Sequence, residues 1–194
     1  MLLFLTGLAA STAATVLLSL PHPGPAPGRG PEACVPSGHD SRGRSSVDRG
    51  VIAWEDDTVF DDARSYAVGQ WTGGGLKKVA FRPDTASEFA DLEWNDTRSS
   101  GGDWKNVLAR WTGRPGTDSI TMNRHYLDDG GARGTAAHRR RVATHELGHA
   151  LGFCHKSTKA GSIMWADNAE AARFGIDGIT AGDRAAYHRL WGRA

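Results

Sequence analysis

A chain of 194 residues has room for one domain behind a short leader, and its 39% hydrophobic content with seven tryptophans is that of a globular protein rather than a low-complexity one. The 23 Lys+Arg nearly cancel the 22 Asp+Glu, leaving a formal charge of +1, so no global field gathers nucleic acid or holds the chain on an anionic membrane.

Residues 2 to 20 form the one long apolar run, and Pro21-His22-Pro23-Gly24-Pro25-Ala26-Pro27-Gly28 follows at once. Residues 1 to 28 therefore read as a secretory signal peptide with a Pro/Gly-rich tether, which predicts an extracellular protein without a membrane span in its mature form. The alternative is an uncleaved anchor, since the run is just long enough to span a bilayer. No Lys or Arg precedes the run, so the positively charged start of a signal peptide is missing. Residues 29 to 46 are poor in apolar side chains and read as a linker containing Cys34, with the domain proper at 47 to 194. In an oxidising compartment Cys34 and Cys154 are expected to pair, which in the chain-entropy model stabilises by roughly 3 to 5 kcal/mol. Two free thiols, or a Cys34 thiolate that masks a metal, are the competing readings.

Val51-Ile52-Ala53-Trp54 has the character of a buried strand, and Asp56-Asp57 offers a helix start. Val59, Phe60, Ala63, Tyr66, Ala67 and Trp71 recur at three- and four-residue spacing and predict an amphipathic helix that Gly73-Gly74-Gly75 ends. Strands are expected at 78–82, ended by Pro83, at 90–94, at 107–111 and at 119–123, with a turn at Gly113-Arg114-Pro115-Gly116. Asn95-Asp96-Thr97 reads as a turn or a glycosylation acceptor. Asp128-Asp129-Gly130 reads as a turn, with calcium binding as the alternative.

From Thr135 to Leu151 the pattern is helical. Ala136, Ala143, Leu147, Ala150 and Leu151 fall on one face, and His145 and His149 lie roughly opposite, one turn apart. Two imidazoles at that spacing can meet one zinc ion, with Glu146 beside them to handle a proton. Gly152 can stop the helix so that His155 swings back as a third nitrogen ligand. Three histidines leave a fourth position open, as in catalytic rather than structural zinc sites. Arg139-Arg140-Arg141 reads as a solvated stretch, and His125, His138 and His188 as surface or packing residues. Thr180 to Trp191 reads as a last helix, with Thr180 as N-cap and Asp183 in the capping-box position.

His145-Glu146-x-x-His149-x-x-Gly152-x-x-His155 followed by Met164 resembles the metzincin clan of zinc endopeptidases, and His-Glu-Leu-Gly-His-Ala-Leu-Gly is similar to its matrixin branch. In size and sparse decoration the chain also resembles the small secreted bacterial snapalysins, which place an aspartate where His155 stands. The resemblance extends over residues 47 to 194 and implies an α+β fold. Its parts are a twisted, mostly parallel sheet with one antiparallel edge strand, a backing helix, an active-site helix, and a small lower subdomain with a methionine turn and a C-terminal helix. It implies zinc on His145, His149 and His155, Glu146 as general base, Gly152 at the turn, and Met164 as a packing platform beneath the metal. Substrate is then a protein or peptide bound extended along the edge strand, for which 107–111 is the candidate, by a monomeric enzyme. The ending Trp165-Ala166 departs from the matrixin pattern, where an aromatic residue and then proline follow the methionine.

Two other readings stand beside this one. An HExxH peptidase could take its third ligand from Asp167 or Glu170 instead of His155, or the metal could merely stabilise a non-catalytic binding module.

Overall fold

Strand β1 (Val51–Asp56) carries Ile52 and Ala53 into the core, and a parallel neighbour can be reached only by a crossover, which helix α1 (Asp61–Thr72) provides before β2 (Ala80–Pro83). The structure is a computed structural model that describes residues 33–193; the expected signal peptide and tether lie outside the described residues. Strands β3 (Leu92–Thr97), β4 (Ala109–Thr112) and β5 (Asp118–Asn123) complete a five-stranded sheet of order β2-β1-β3-β5-β4. All pairings are parallel except β4 with β5, so β4 is an antiparallel edge strand. The protein is α+β with a mostly parallel sheet, as expected.

Two local expectations fail for one reason. Asp56-Asp57 does not cap α1, whose N-cap is Phe60, because Asp56 pairs instead with Arg64 at 2.7 Å. Asn95-Asp96-Thr97 is not a turn but the end of β3, where Asp96 accepts from Thr58 Oγ1 at 2.6 Å and from Val59 N–H at 2.9 Å. That carboxylate holds the bend leading into α1 from the neighbouring strand. It does across the sheet what a cap would do along the chain.

After the short helix α2 (Arg124–Leu127) comes α3 (Ala136–Ala150), started by the Thr135 hydroxyl, which accepts from His138 N–H. The expected two-sided helix is corrected here, since residues 141 to 148 are all buried. It runs alongside α1 and against β4 and β5, with residues 162–165 packed beneath it. Close packing on several sides suits small residues. A Cβ on Gly148 would overlap Met164 Sδ and stand 3.2 Å from Trp71 Cζ2. Trp71 in turn stacks on Phe153 at 5.1 Å and donates its indole N–H to the Thr144 carbonyl at 2.9 Å.

Of the arginine triplet, Arg140 is exposed as expected and Arg141 is corrected. Arg141 is buried, with Nε donating to the Ile176 carbonyl at 3.0 Å and its guanidinium paired with Asp177. Arg139 pairs with Asp129 and Arg140 with Asp62.

Below α3, Lys156 bridges Trp165, α4 (Asn168–Arg173) follows, and α5 (Ala181–Trp191) ends the domain. Its capping box between Thr180 and Asp183 forms as expected. Tyr187 accepts from Val79 N–H at 2.8 Å, tying α5 to the chain just before β2.

Residues 34–46, expected as a linker, are fastened along their length. Val35, Ser41 and Ser46 donate their N–H groups to the carbonyls of His155, Gly152 and Ala150 at 3.0, 2.9 and 2.8 Å. Cys34 and Cys154 are joined by a disulfide, with Cα atoms 5.5 Å apart. This segment is a strap across the end of α3. Among the described residues no helix is long and apolar enough to cross a membrane.

Candidate metal centre

One turn of helix places His145 above His149, and Gly152 lets the chain reverse. Its φ of +89° belongs to the left-handed region that glycine enters freely, and a Cβ there would overlap the Ser41 carbonyl of the strap. The reversal returns His155 to its partners. The three Nε2 atoms lie 3.2 Å (His145 to His155), 3.2 Å (His145 to His149) and 3.1 Å (His149 to His155) apart.

Their hydrogen bonds set the tautomers of two rings. His145 Nδ1 lies 2.9 Å from the Ile163 carbonyl and His149 Nδ1 lies 2.8 Å from the Phe153 carbonyl. A carbonyl only accepts, so both Nδ1 atoms carry the proton and both Nε2 atoms present lone pairs. Convergent lone pairs without a proton between them repel unless a cation sits among them. Zinc with Zn–N bonds of roughly 2.0 to 2.1 Å in tetrahedral geometry requires nitrogens about 3.3 Å apart. The donor set and its spacing fit that ion.

The electrostatics agree with neutral imidazoles. Burial, reinforced by the charge of His149, holds His145 well below the ordinary histidine value. Burial and then His149 lower His155 to about 4. Neutral rings are the form that binds metal.

Glu146 is buried beside this cluster, and burial raises its carboxyl above the usual range against the opposing pull of His149 and of the Trp111 N–H. Its Oε2 accepts that N–H at 2.7 Å, reaching from α3 to the edge strand. The Trp111 indole donates to Ser46 Oγ at 3.1 Å, and Ser46 donates to Asp118 at 2.7 Å. Helix, edge strand and strap are thus linked through polar groups on one side of the histidines.

Met164 is buried against Gly148, its sulfur lying where a Cβ on that glycine would fall. The segment is clamped by Asp183. This buried carboxylate accepts from Ser162 Oγ at 2.5 Å, Ile163 N–H at 2.9 Å and Thr180 N–H at 2.8 Å. Burial nonetheless raises its carboxyl above the ordinary value. The Ile163 whose N–H it fixes is the residue whose carbonyl orients His145. Trp165 is buried, donating to the Ala160 carbonyl, with Phe174 edge-on at 5.4 Å.

Asp167 and Glu170 do not join the cluster. Asp167 caps α4, accepting from the N–H groups of Ala169 and Glu170 at 2.8 and 2.9 Å. Cys34 masks nothing, since its sulfur is bonded to Cys154. Asp128 is engaged by Arg98 and Arg124, and Asp129 by Arg139, so the Asp128-Asp129-Gly130 carboxylates are spent on ion pairs rather than gathered for calcium. His138 bonds Thr135, while His125 and His188 lie edge-on to Tyr126 and Tyr187.

Three contributors escape the sequence. The carbonyls of Ile163 and Phe153 act through backbone, which no side-chain pattern marks. Trp111 was only a strand residue. Asp183 has the sequence position of a cap, and its place three residues after Thr180 gives no hint that the same carboxylate grips the Ser162-Ile163 segment. No protein-family model matches the chain, and the search of curated proteins returns no match either.

Proposed function

We propose that this chain is an exported zinc-dependent endopeptidase of the metzincin clan, resembling its matrixin branch. The observation that carries the reading is the triangle of Nε2 atoms 3.1 to 3.2 Å apart with a buried carboxylate, Glu146, on the same helix.

His145, His149 and His155 would hold the zinc, which when bound supplies Lewis-acid polarisation of a carbonyl and activation of water near neutral pH. Glu146 takes a proton from the water that adds to the scissile carbonyl carbon. It then gives that proton to the amine as the C–N bond breaks. Burial favours this work, because a carboxyl with a raised proton affinity is a better base. The outer side of β4 supplies backbone groups for an extended protein or peptide substrate, adding a strand to the sheet edge. The domain acts as a monomer.

One observation favours a second reading. Because Glu146 ties α3 to β4 through the Trp111 N–H, its carboxylate has a structural use as well, as it would in a zinc-stabilised binding module. Digestion of a denatured protein by zinc-loaded enzyme decides between them. The endopeptidase reading expects turnover that a chelator abolishes and added zinc restores. Stoichiometric zinc with no digestion would leave the binding module.

A further inference from the structure

Between the strap and β4 lies a cleft of about 230 Å³ that reaches the metal-binding histidines. Val35, Ser37 and Arg44 of the strap line one side, with Trp111, Phe153 and His149 completing it. Its walls are largely apolar, and Arg44 is the one lining side chain with a permanent charge.

Arg44 differs from the arginines of the fold that are held in ion pairs. Arg64, Arg82, Arg98, Arg124, Arg139, Arg140 and Arg141 each pair with a carboxylate. Among the described residues no carboxylate lies within ion-pair distance of Arg44. The nearby Asp40 is taken by Lys156 Nζ at 2.6 Å. The guanidinium is instead held by the His39 carbonyl, which adds no negative charge. A cation without a counter-ion, beside apolar walls and a site for a divalent metal, makes a positive field that a carboxylate can answer with paired hydrogen bonds.

We propose that this cleft is a substrate subsite that selects a carboxylate-bearing side chain, Glu or Asp, through Arg44. The proposal rests on the endopeptidase reading. The strap builds the subsite, and the Cys34–Cys154 disulfide holds its first residues against the loop that carries His155.

The test uses peptides blocked at both termini, so that the side chain is the only carboxylate offered, with Glu, Gln or Lys placed in turn at each position around the cleaved bond. For the unmodified protein kcat/KM is expected to favour Glu over Lys by about tenfold or more at one position, since like charges placed together are penalised strongly. In Arg44→Glu that ratio inverts at the same position, and in Arg44→Gln it falls toward one, with the ratios at other positions unmoved. Equilibrium binding of the same peptides to zinc-loaded Glu146→Ala protein follows the same order. Cleavage with one Glu-to-Lys ratio in all three proteins overturns the subsite and leaves the endopeptidase intact. Zinc-loaded protein that cuts no peptide overturns both.

Discussion

The Glu146 carboxylate accepts the backbone N–H of Trp111 at 2.7 Å, joining the helix that carries two of the three clustered histidines to the antiparallel edge of the sheet. The carboxylate that holds the edge strand is thus also the one proposed to move a proton. Conservative substitution separates them.

Glu146→Gln keeps an oxygen for the Trp111 N–H but cannot take a proton, so it is expected to keep both zinc and stability while kcat falls by about 10²- to 10⁴-fold. Glu146→Ala loses the same turnover and in addition leaves a buried N–H without its acceptor, which costs about 1 to 3 kcal/mol. Zinc content, urea midpoints and kcat measured on both variants check this. Undiminished proteolysis in Glu146→Gln would sink the mechanism.

Asp183→Asn presents an amide where two backbone N–H groups and a hydroxyl need acceptors. Only one of its two ends can accept, so stability drops by about 1 to 3 kcal/mol. Because Ile163 links Asp183 to His145, zinc affinity should weaken about tenfold or more, as for other groups that orient metal ligands. Competition with a coloured chelator measures it, and an unchanged affinity would show that the clamp does not reach the histidine.

Acid should unfold the zinc-free protein through its histidines. Burial lowers the proton affinity of His145 and His155 below the ordinary 6.5, so the unfolded chain binds protons that the folded one refuses. Stability therefore falls as pH drops below about 6.5 and keeps falling toward about 4, where His155 itself becomes charged. Urea midpoints taken at stepped pH on chelator-treated protein test this, and a flat profile between those limits would contradict it.

Replacing Cys34 and Cys154 by serine removes the constraint on a long loop, for an expected loss of about 3 to 5 kcal/mol. The strap should loosen first. Hydrogen exchange at the N–H groups of Val35, Ser41 and Ser46, which bond the carbonyls around His155, should quicken before exchange in β5 does. Uniform acceleration across the domain would mean that the disulfide acts on global stability alone.

The histidine cluster was legible because its geometry is local. His145 and His149 need only helical periodicity, and Gly152 marks the reversal that returns His155. The edge strand was legible from its place beside the Gly113-Arg114-Pro115-Gly116 turn and the fold that the motif implies. What could not be read depends on distant partners. The buried state of Arg141 follows from Asp177 and the Ile176 carbonyl, 35 and 36 residues away in sequence. The strand conformation of Asn95-Asp96-Thr97, rich in turn-forming residues, follows from pairing with β5 and from the bend that Asp96 holds. The all-round burial of α3 escaped a one-face reading because alanine, glycine and threonine suit close packing without announcing it.

The disulfide spans 120 positions of sequence, and all five strands, α1 and α3 lie between its ends. A protein proposed to cut peptide bonds is exposed to cuts by its own kind, above all in surface turns such as 83–91. A single such cut inside the ring leaves both pieces covalently attached through Cys34 and Cys154, so the nicked molecule keeps its mass apart from one added water. Only reduction would part the fragments.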